Sequence, residues 1–141
     1  MGAAGRTERM ERKESTVSGT STADKKFRKE LNSGTAALVL LSVLGNATEP
    51  MYGYQIAKHI ESDRHQVLMM KQGAFYPVLR SMEDSGLLES RVEPSVSGPP
   101  RRYYRITYAG HQTLGRWKEI WDQTKGFVDT ILQGVSDDQE H

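Results

Sequence analysis

One segment of this 141-residue chain breaks the rhythm of everything around it. In "GLLESRVEPSVSGPPRRYYRITYAG" (Gly86 to Gly110), Leu88, Ser90 and Val92 alternate with Glu89 and Arg91, the period of a strand. Elsewhere apolar residues return every three or four positions, the period of a helix. The stretch Glu93 to Pro100 holds three prolines and a glycine, and "RRYYRI" follows as a second strand with aromatic content. A lone hairpin among helices predicts a mainly α fold with a small β-hairpin, whose tip carries the basic pair Arg101 and Arg102.

Upstream, "ELNSGTAALVLLSVLGN" (Glu30 to Asn46) is apolar on nearly every face through Ala37, Leu38, Leu40, Leu41, Val43 and Leu44, which predicts a buried helix. Gly45-Asn46 supplies its stop, since both residues tolerate the left-handed conformation. In "EPMYGYQIAKHIES" (Glu49 to Ser62), Tyr52, Ile56 and Ile60 fall on one stripe, as a short amphipathic helix requires. Residues 63–71, with the short apolar run Val67 to Met70, connect it to the next helix.

That next helix, in "KQGAFYPVLRSMEDSG" (Lys71 to Gly86), contains Pro77 among inward-facing Phe75, Leu79 and Met82. The first N–H groups of a helix have no internal acceptor, so a cap at Gly73 or Ala74 puts the proline near the edge of the tolerant first turn. Gly86 followed by Leu87 and Leu88 marks the other end, near Ser85. Tyr76, Pro77, Arg80 and Asp84 then lie outward, with Gln72, Gly73 and Ala74 at the start. A slim helix end bearing Tyr and Arg suits a major groove, where Arg donates two bonds to guanine; such a face is also ordinary helix surface. A helix pair followed by a ribbon tipped with arginines is the order of a winged helix-turn-helix, in which one helix reads the groove and the wing straddles the backbone.

Thr107 is placed to cap a long helix beginning at Tyr108. Leu114, Trp117, Trp121, Thr124, Val128, Ile131 and Val135 keep three-and-four spacing, a short heptad seam. Gly126 costs such a helix roughly 1 kcal/mol of propensity, and a run from Tyr108 to Gln133 reaches about 39 Å. That length needs a partner, and the economical one is the same helix of a second subunit, with Leu114, Trp117, Trp121, Val128 and Ile131 at the interface. A two-fold dimer matches a palindromic double-stranded DNA site, with half-sites about 34 Å or a multiple apart.

The resulting organisation is a disordered basic arm (1–25), a winged helix-turn-helix domain (26–107), a C-terminal dimerisation helix (108–134) and an acidic tail (135–141). The arm is predicted from composition: the first two dozen residues hold Val17, two methionines and small alanines, too little to offset ordering entropy. Residues 1–30 carry eight basic side chains against five acidic ones, whereas the last thirteen carry Asp129, Asp137, Asp138 and Glu140 and no base. The arm is read either as a solubilising leader or as a phosphate contact. No cysteine is present, which excludes disulfides and thiolate metal sites and fits the cytoplasm. No run of eighteen apolar residues exists, so no membrane span is expected. The four histidines lack metal-ligand spacing, and neither a Gly-rich phosphate loop nor paired catalytic carboxylates occur, so catalytic residues, metal and cofactor are all expected to be none.

Four segments, "LNSGTAALVLLSVLG", "MYGYQIAKHI", "GAFYPVLRSMEDSGLL" and "SGPPRRYYRITYAG", in this order and spacing, resemble the PadR family of transcriptional regulators from about Leu31 to Gly110. The single terminal helix extends the likeness to Leu132 and is similar to the family's short branch. The resemblance implies an N-terminal winged helix, a C-terminal dimerisation helix and repression of promoters. It places Tyr76, Pro77 and Arg80 on the recognition helix, Tyr52 and Tyr54 on the helix before it, and Arg101, Arg102 and Tyr103 on the wing. It also implies release by planar aromatic compounds in some members, with Trp121, beside Trp117, at the position of a ligand-stacking tryptophan; both tryptophans equally suit plain interface filling. The arm departs from the pattern, since members begin near Leu31. The competing reading is a winged-helix module that contacts protein rather than DNA.

Overall fold

A computed structural model describes residues 21–61 and 72–140, with the backbone alone for Gln72 and residues 136–140. The elements are α1 (Thr22–Asn46), β1 (Met51–Tyr52), α2 (Gly53–Glu61), α3 (Gln72–Asp84), β2 (Leu88–Glu93), β3 (Arg101–Ile106) and α4 (Tyr108–Glu140). Residues 1–20 of the basic arm, and the apolar run Val67 to Met70, lie outside the described residues. The chain divides into two compact units, Met1–Thr35 and Ala36–His141, and α1 contributes to both.

In the first unit, α1 starts at Thr22 rather than at Glu30, where the apolar pattern begins. The cause is a cap. Ser21 Oγ accepts the Asp24 N–H at 3.0 Å, Asp24 lies in the positively polarised first turn, and the Lys, Arg and Glu that follow propagate the helix as exposed residues. Phe27 and Leu31 stay exposed along this stretch.

In the second unit, α1 buries Ala36, Leu40, Leu41 and Leu44, while Leu38, Val39 and Val43 are only half-buried. The all-round apolar pattern therefore yields one buried stripe in a single chain, not a wholly enclosed helix. Against it pack Ile56 and Ala57 of α2, Phe75, Leu79 and Met82 of α3, Leu88 of β2 and Tyr104 of β3. Truncating a side chain such as Phe75, Leu79 or Ile56 removes about 2–5 kcal/mol through lost transfer energy and the cavity left behind.

Three antiparallel strands form the sheet, in the order β1-β3-β2, one more than the hairpin alone. Met51 pairs with Tyr104 and Tyr52 with Tyr103, so Tyr52 is a strand residue and not part of the second helix. A two-residue strand has no room for alternation, and Tyr52 stands four residues before Ile56, which imitates a helical stripe. The N–H of Tyr52 donates to Gln55 Oε1 at 3.1 Å, the returning half of a capping box, which ends the strand and starts α2 at Gly53.

Helix α3 begins at Gln72, so Pro77 sits in its second turn, deeper than a cap at Gly73 or Ala74 would place it. The bond lost is the one to the Gly73 carbonyl, and Gly73 is exposed, where water replaces it. The far end follows the sequence reading closely: Gly86 has φ 80°, its N–H donates to Glu83 O at 2.9 Å, and the Leu87 N–H donates to Met82 O at 2.9 Å, a Schellman stop. Helix α4 runs past Gln133 to Glu140, because no proline interrupts it and Gly134 stays helical.

Candidate nucleic-acid interface

Burial on α3 separates its two faces. Phe75, Leu79 and Met82 are buried, whereas Ala74, Tyr76, Pro77 and Arg80 are exposed, Tyr76 at 38%. Gln72 begins the helix, and its side chain lies outside the described residues. The Tyr76 ring crosses the start of α2: a Cβ at Gly53 would collide with its hydroxyl, so glycine is what lets the phenol lie there. Tyr76 thereby joins the exposed side of α3 to the turn carrying Tyr52 and Tyr54.

That turn holds an aromatic and cationic cluster. Tyr52 meets Tyr103 across the strands, edge to face, with centroids 5.3 Å apart, and Tyr54 lies 6.4 Å from Tyr52 in a near-parallel arrangement. The Arg101 guanidinium sits 4.5 Å from the Tyr52 centroid, and Lys58 Nζ lies 5.9 Å from that of Tyr54. Four of the expected contact residues, Tyr52, Tyr54, Arg101 and Tyr103, are thus brought together, with two positive charges seated on tyrosine rings.

Arg102 is not among them. Successive strand residues face opposite ways, so Arg101, Tyr103 and Arg105 share the outer face of the sheet while Arg102, Tyr104 and Ile106 share the face turned to the core. Arg102 Nη1 donates to Ser90 Oγ at 2.9 Å, and the Ser90 hydroxyl donates to Glu83 Oε2 at 2.6 Å. Glu83 and Ser90 were missed by sequence reasoning; their only trace was the polar serine at an inward position of β2. Burial pushes the Tyr104 hydroxyl above its usual pKa, opposed by the charges of Arg102 and Arg80 and reinforced by that of Glu83. On the outer face Glu89 pairs with Arg105 and Arg91 with Glu93, exposed ion pairs that contribute little.

The connection to α4 is built from backbone. The Thr107 N–H donates to Leu87 O at 3.0 Å and its hydroxyl to Gly86 O at 2.7 Å, while Thr107 Oγ1 accepts the Gly110 N–H at 3.0 Å as the cap of α4. A Cβ at Gly110 would collide with the Leu87 carbonyl, so glycine permits the close approach. Leu114 and Trp117, the first residues of the expected seam, pack against the core of their own chain. Beyond Trp117 the seam is exposed: Trp121 at 38%, Val128, Ile131 at 55% and Val135, joined by Ile120, Phe127 and Leu132, which strict heptad counting omitted. On a helical wheel these span about 140°. Among the described residues no helix is long and apolar enough to cross a membrane, and no group of three His, Asp or Glu residues is placed to hold a metal.

The fold has known counterparts. The family model of the PadR-like transcriptional regulators matches residues 40–116, more than half of the chain. A PadR family regulator from Eggerthella lenta has a similar structure, with 30% identity, a TM-score of 0.65, and coverage of 77% of this chain and 90% of that one. A PadR-like transcription factor from Bacteroides fragilis gives 26% identity and a TM-score of 0.60 over 75% of this chain and 98% of that one. Bacillus subtilis PadR, solved in complex with operator DNA, shares the fold at 23% identity and a TM-score of 0.52, over 58% of this chain and 45% of its own. With its helix pair, its Schellman stop, its three-stranded wing sheet and its capped terminal helix all inside or bordering the matched segment, the chain belongs to the PadR-like family of transcriptional regulators.

Proposed function

We propose that the protein is a cytoplasmic, dimeric, sequence-specific DNA-binding repressor. The observation that carries this reading is the exposed row Ala74, Tyr76, Pro77 and Arg80 on α3, flanked by the cationic tyrosine cluster. In this reading Gln72, Ala74, Tyr76, Pro77 and Arg80 enter the major groove, with Arg80 donating to guanine. Tyr52, Tyr54, Arg101, Arg102 and Tyr103 contact sugar and phosphate beside it. The Bacillus subtilis relative, bound to operator DNA, supports the assignment at the level of the fold.

Two copies associate through the outer part of α4, because an apolar arc of this width is not left to water in a stable protein. The pairing presents two α3 helices to a palindromic duplex. The same surface is the proposed seat of a planar aromatic effector, at Trp121 with Trp117 at its edge; quenching of tryptophan fluorescence by planar aromatic cations tests it, and no quenching across a broad panel leaves both rings as interface filler.

A mobility-shift titration tests the DNA reading. Arg80→Ala relaxes sequence preference, Arg101→Ala weakens binding to every sequence, and each phosphate contact adds about 0.9 to the log–log salt slope. Unchanged binding in both variants would assign this surface to a protein partner instead.

A further inference from the structure

The wing leaves the core gradually. On the inward face of β2, Leu88 is buried, Ser90 is half-buried and Val92 is 53% exposed. Opposite them, in register, stand Ile106, Tyr104 and Arg102. On this inward face Leu88 and Tyr104 are the last buried anchors, and toward the tip the face is held by the ladder and by side-chain bonds. A two-stranded ribbon whose inward face has lost its apolar contacts has little stiffness of its own. Beyond those anchors a side-chain link joins the wing to α3, from Glu83 Oε2 through Ser90 Oγ to Arg102 Nη1, with lengths of 2.6 and 2.9 Å.

The chemistry of the link fixes its direction. A serine hydroxyl has one proton, and here it goes to the Glu83 carboxylate. The Ser90 oxygen is then a pure acceptor for Arg102, with its basicity raised by the charged partner behind it. Arg102 spends one of its five N–H donors and keeps the others, and it is exposed, so its guanidinium is oriented without being consumed. Arg101, one residue away, is held on the opposite face by Tyr52.

We propose that Glu83 and Ser90 are positioning residues for the wing: through Arg102 they fix where the ribbon stands relative to α3, and so where its guanidinium meets a phosphate. The proposal rests on the DNA-binding reading and extends it to two residues that do not themselves reach DNA. It differs in sign from a rival account of the same geometry, in which Glu83 competes with phosphate for Arg102.

The test uses the full-length protein and a duplex that it selects from a random pool. Ser90→Ala is expected to weaken binding about fivefold, the net worth of one typical hydrogen bond, and to lower the salt slope by about 0.9, as Arg102→Ala does. Ser90→Thr, which keeps the hydroxyl, is expected to restore both. The double variant Ser90→Ala/Arg102→Ala is expected to bind no worse than Arg102→Ala alone, because serine acts only through the arginine. Glu83→Ala supplies the same test from the surface of α3 should Ser90→Ala lower the melting temperature. Without DNA, relaxation of the Arg102 Nε–H signal by NMR is expected to show a mobile side chain in Ser90→Ala and Glu83→Ala and an ordered one in the unaltered protein. Equal order in all three overturns the link, and tighter binding by either variant, or additive losses in the double variant, overturns the positioning role. An unaltered protein that selects no duplex overturns the DNA reading instead, and the role of the two residues with it.

Discussion

The head of the molecule and the outer half of α4 spend apolar residues in opposite ways. In the head, Leu40, Leu41, Ile56, Phe75 and Leu79 lose essentially all contact with water inside one chain. Along α4 beyond Trp117, residues of the same kind, Ile120, Phe127, Val128, Ile131, Leu132 and Val135, remain exposed. The head has a core of its own, whereas among the described residues the outer helix is held by propensity, the Thr130 hydroxyl bonded to the Gly126 carbonyl and one exposed ion pair, Lys125 to Asp129 at 2.9 Å. With α4 pairing as proposed, folding and association are separate events, and each region reports on one of them.

Substitutions should keep the two apart. Phe75→Ala is expected to destabilise the head by about 3–5 kcal/mol, seen as a lower thermal midpoint by circular dichroism at every protein concentration. Ile131→Asp should leave that midpoint nearly unmoved at high dilution but abolish the dimer in sedimentation; a variant that still sediments as a dimer would refute pairing through α4. At the proposed reading surface, Arg80→Ala is expected to lose about 1–3 kcal/mol of discrimination at one base pair, measured by competition between operator variants, with no change in oligomeric state. Gly126→Ala should stabilise α4 by up to about 1 kcal/mol, because no atom lies near the added Cβ and the position is opposite the apolar arc; a loss of stability there would mean the arc is misdrawn.

The smallest effect concerns pH. Tyr104 has a raised pKa in the folded head, so the neutral phenol is the favoured form. Its contribution is complete below the ordinary value of 10.0 and declines as pH rises through the higher folded value. Tyr104→Phe is therefore expected to flatten the alkaline limb of the stability curve.

Much of this was legible beforehand, and the failures share a cause. The Gly86 stop, the Thr107 cap and the outward set Tyr76, Pro77 and Arg80 depend on neighbours within a turn, and the sequence displays such local chemistry directly. Tyr52 was misplaced because its strand is defined by pairing with Tyr103, about fifty residues away, which no local period reveals. The Glu83 to Ser90 to Arg102 link was invisible for the same reason. Leu114 and Trp117 continue the heptad by spacing yet pack on their own core, since spacing alone does not say which surface lies opposite. The start of α1 was legible in Ser21 and Asp24 but overlooked, because low hydrophobicity was allowed to outweigh a cap.

Thr107 bonds backward to Gly86 and Leu87 and forward to Gly110, so the last turn of α3 and the first turn of α4 are riveted through a single residue. A lever with its pivot there cannot swing at one end alone: any change in the tilt of the long arm shifts the footing of the short one. In the proposed dimer, whatever wedges the two long arms apart would therefore alter the pitch at which the paired heads straddle the double helix, with no need to touch them.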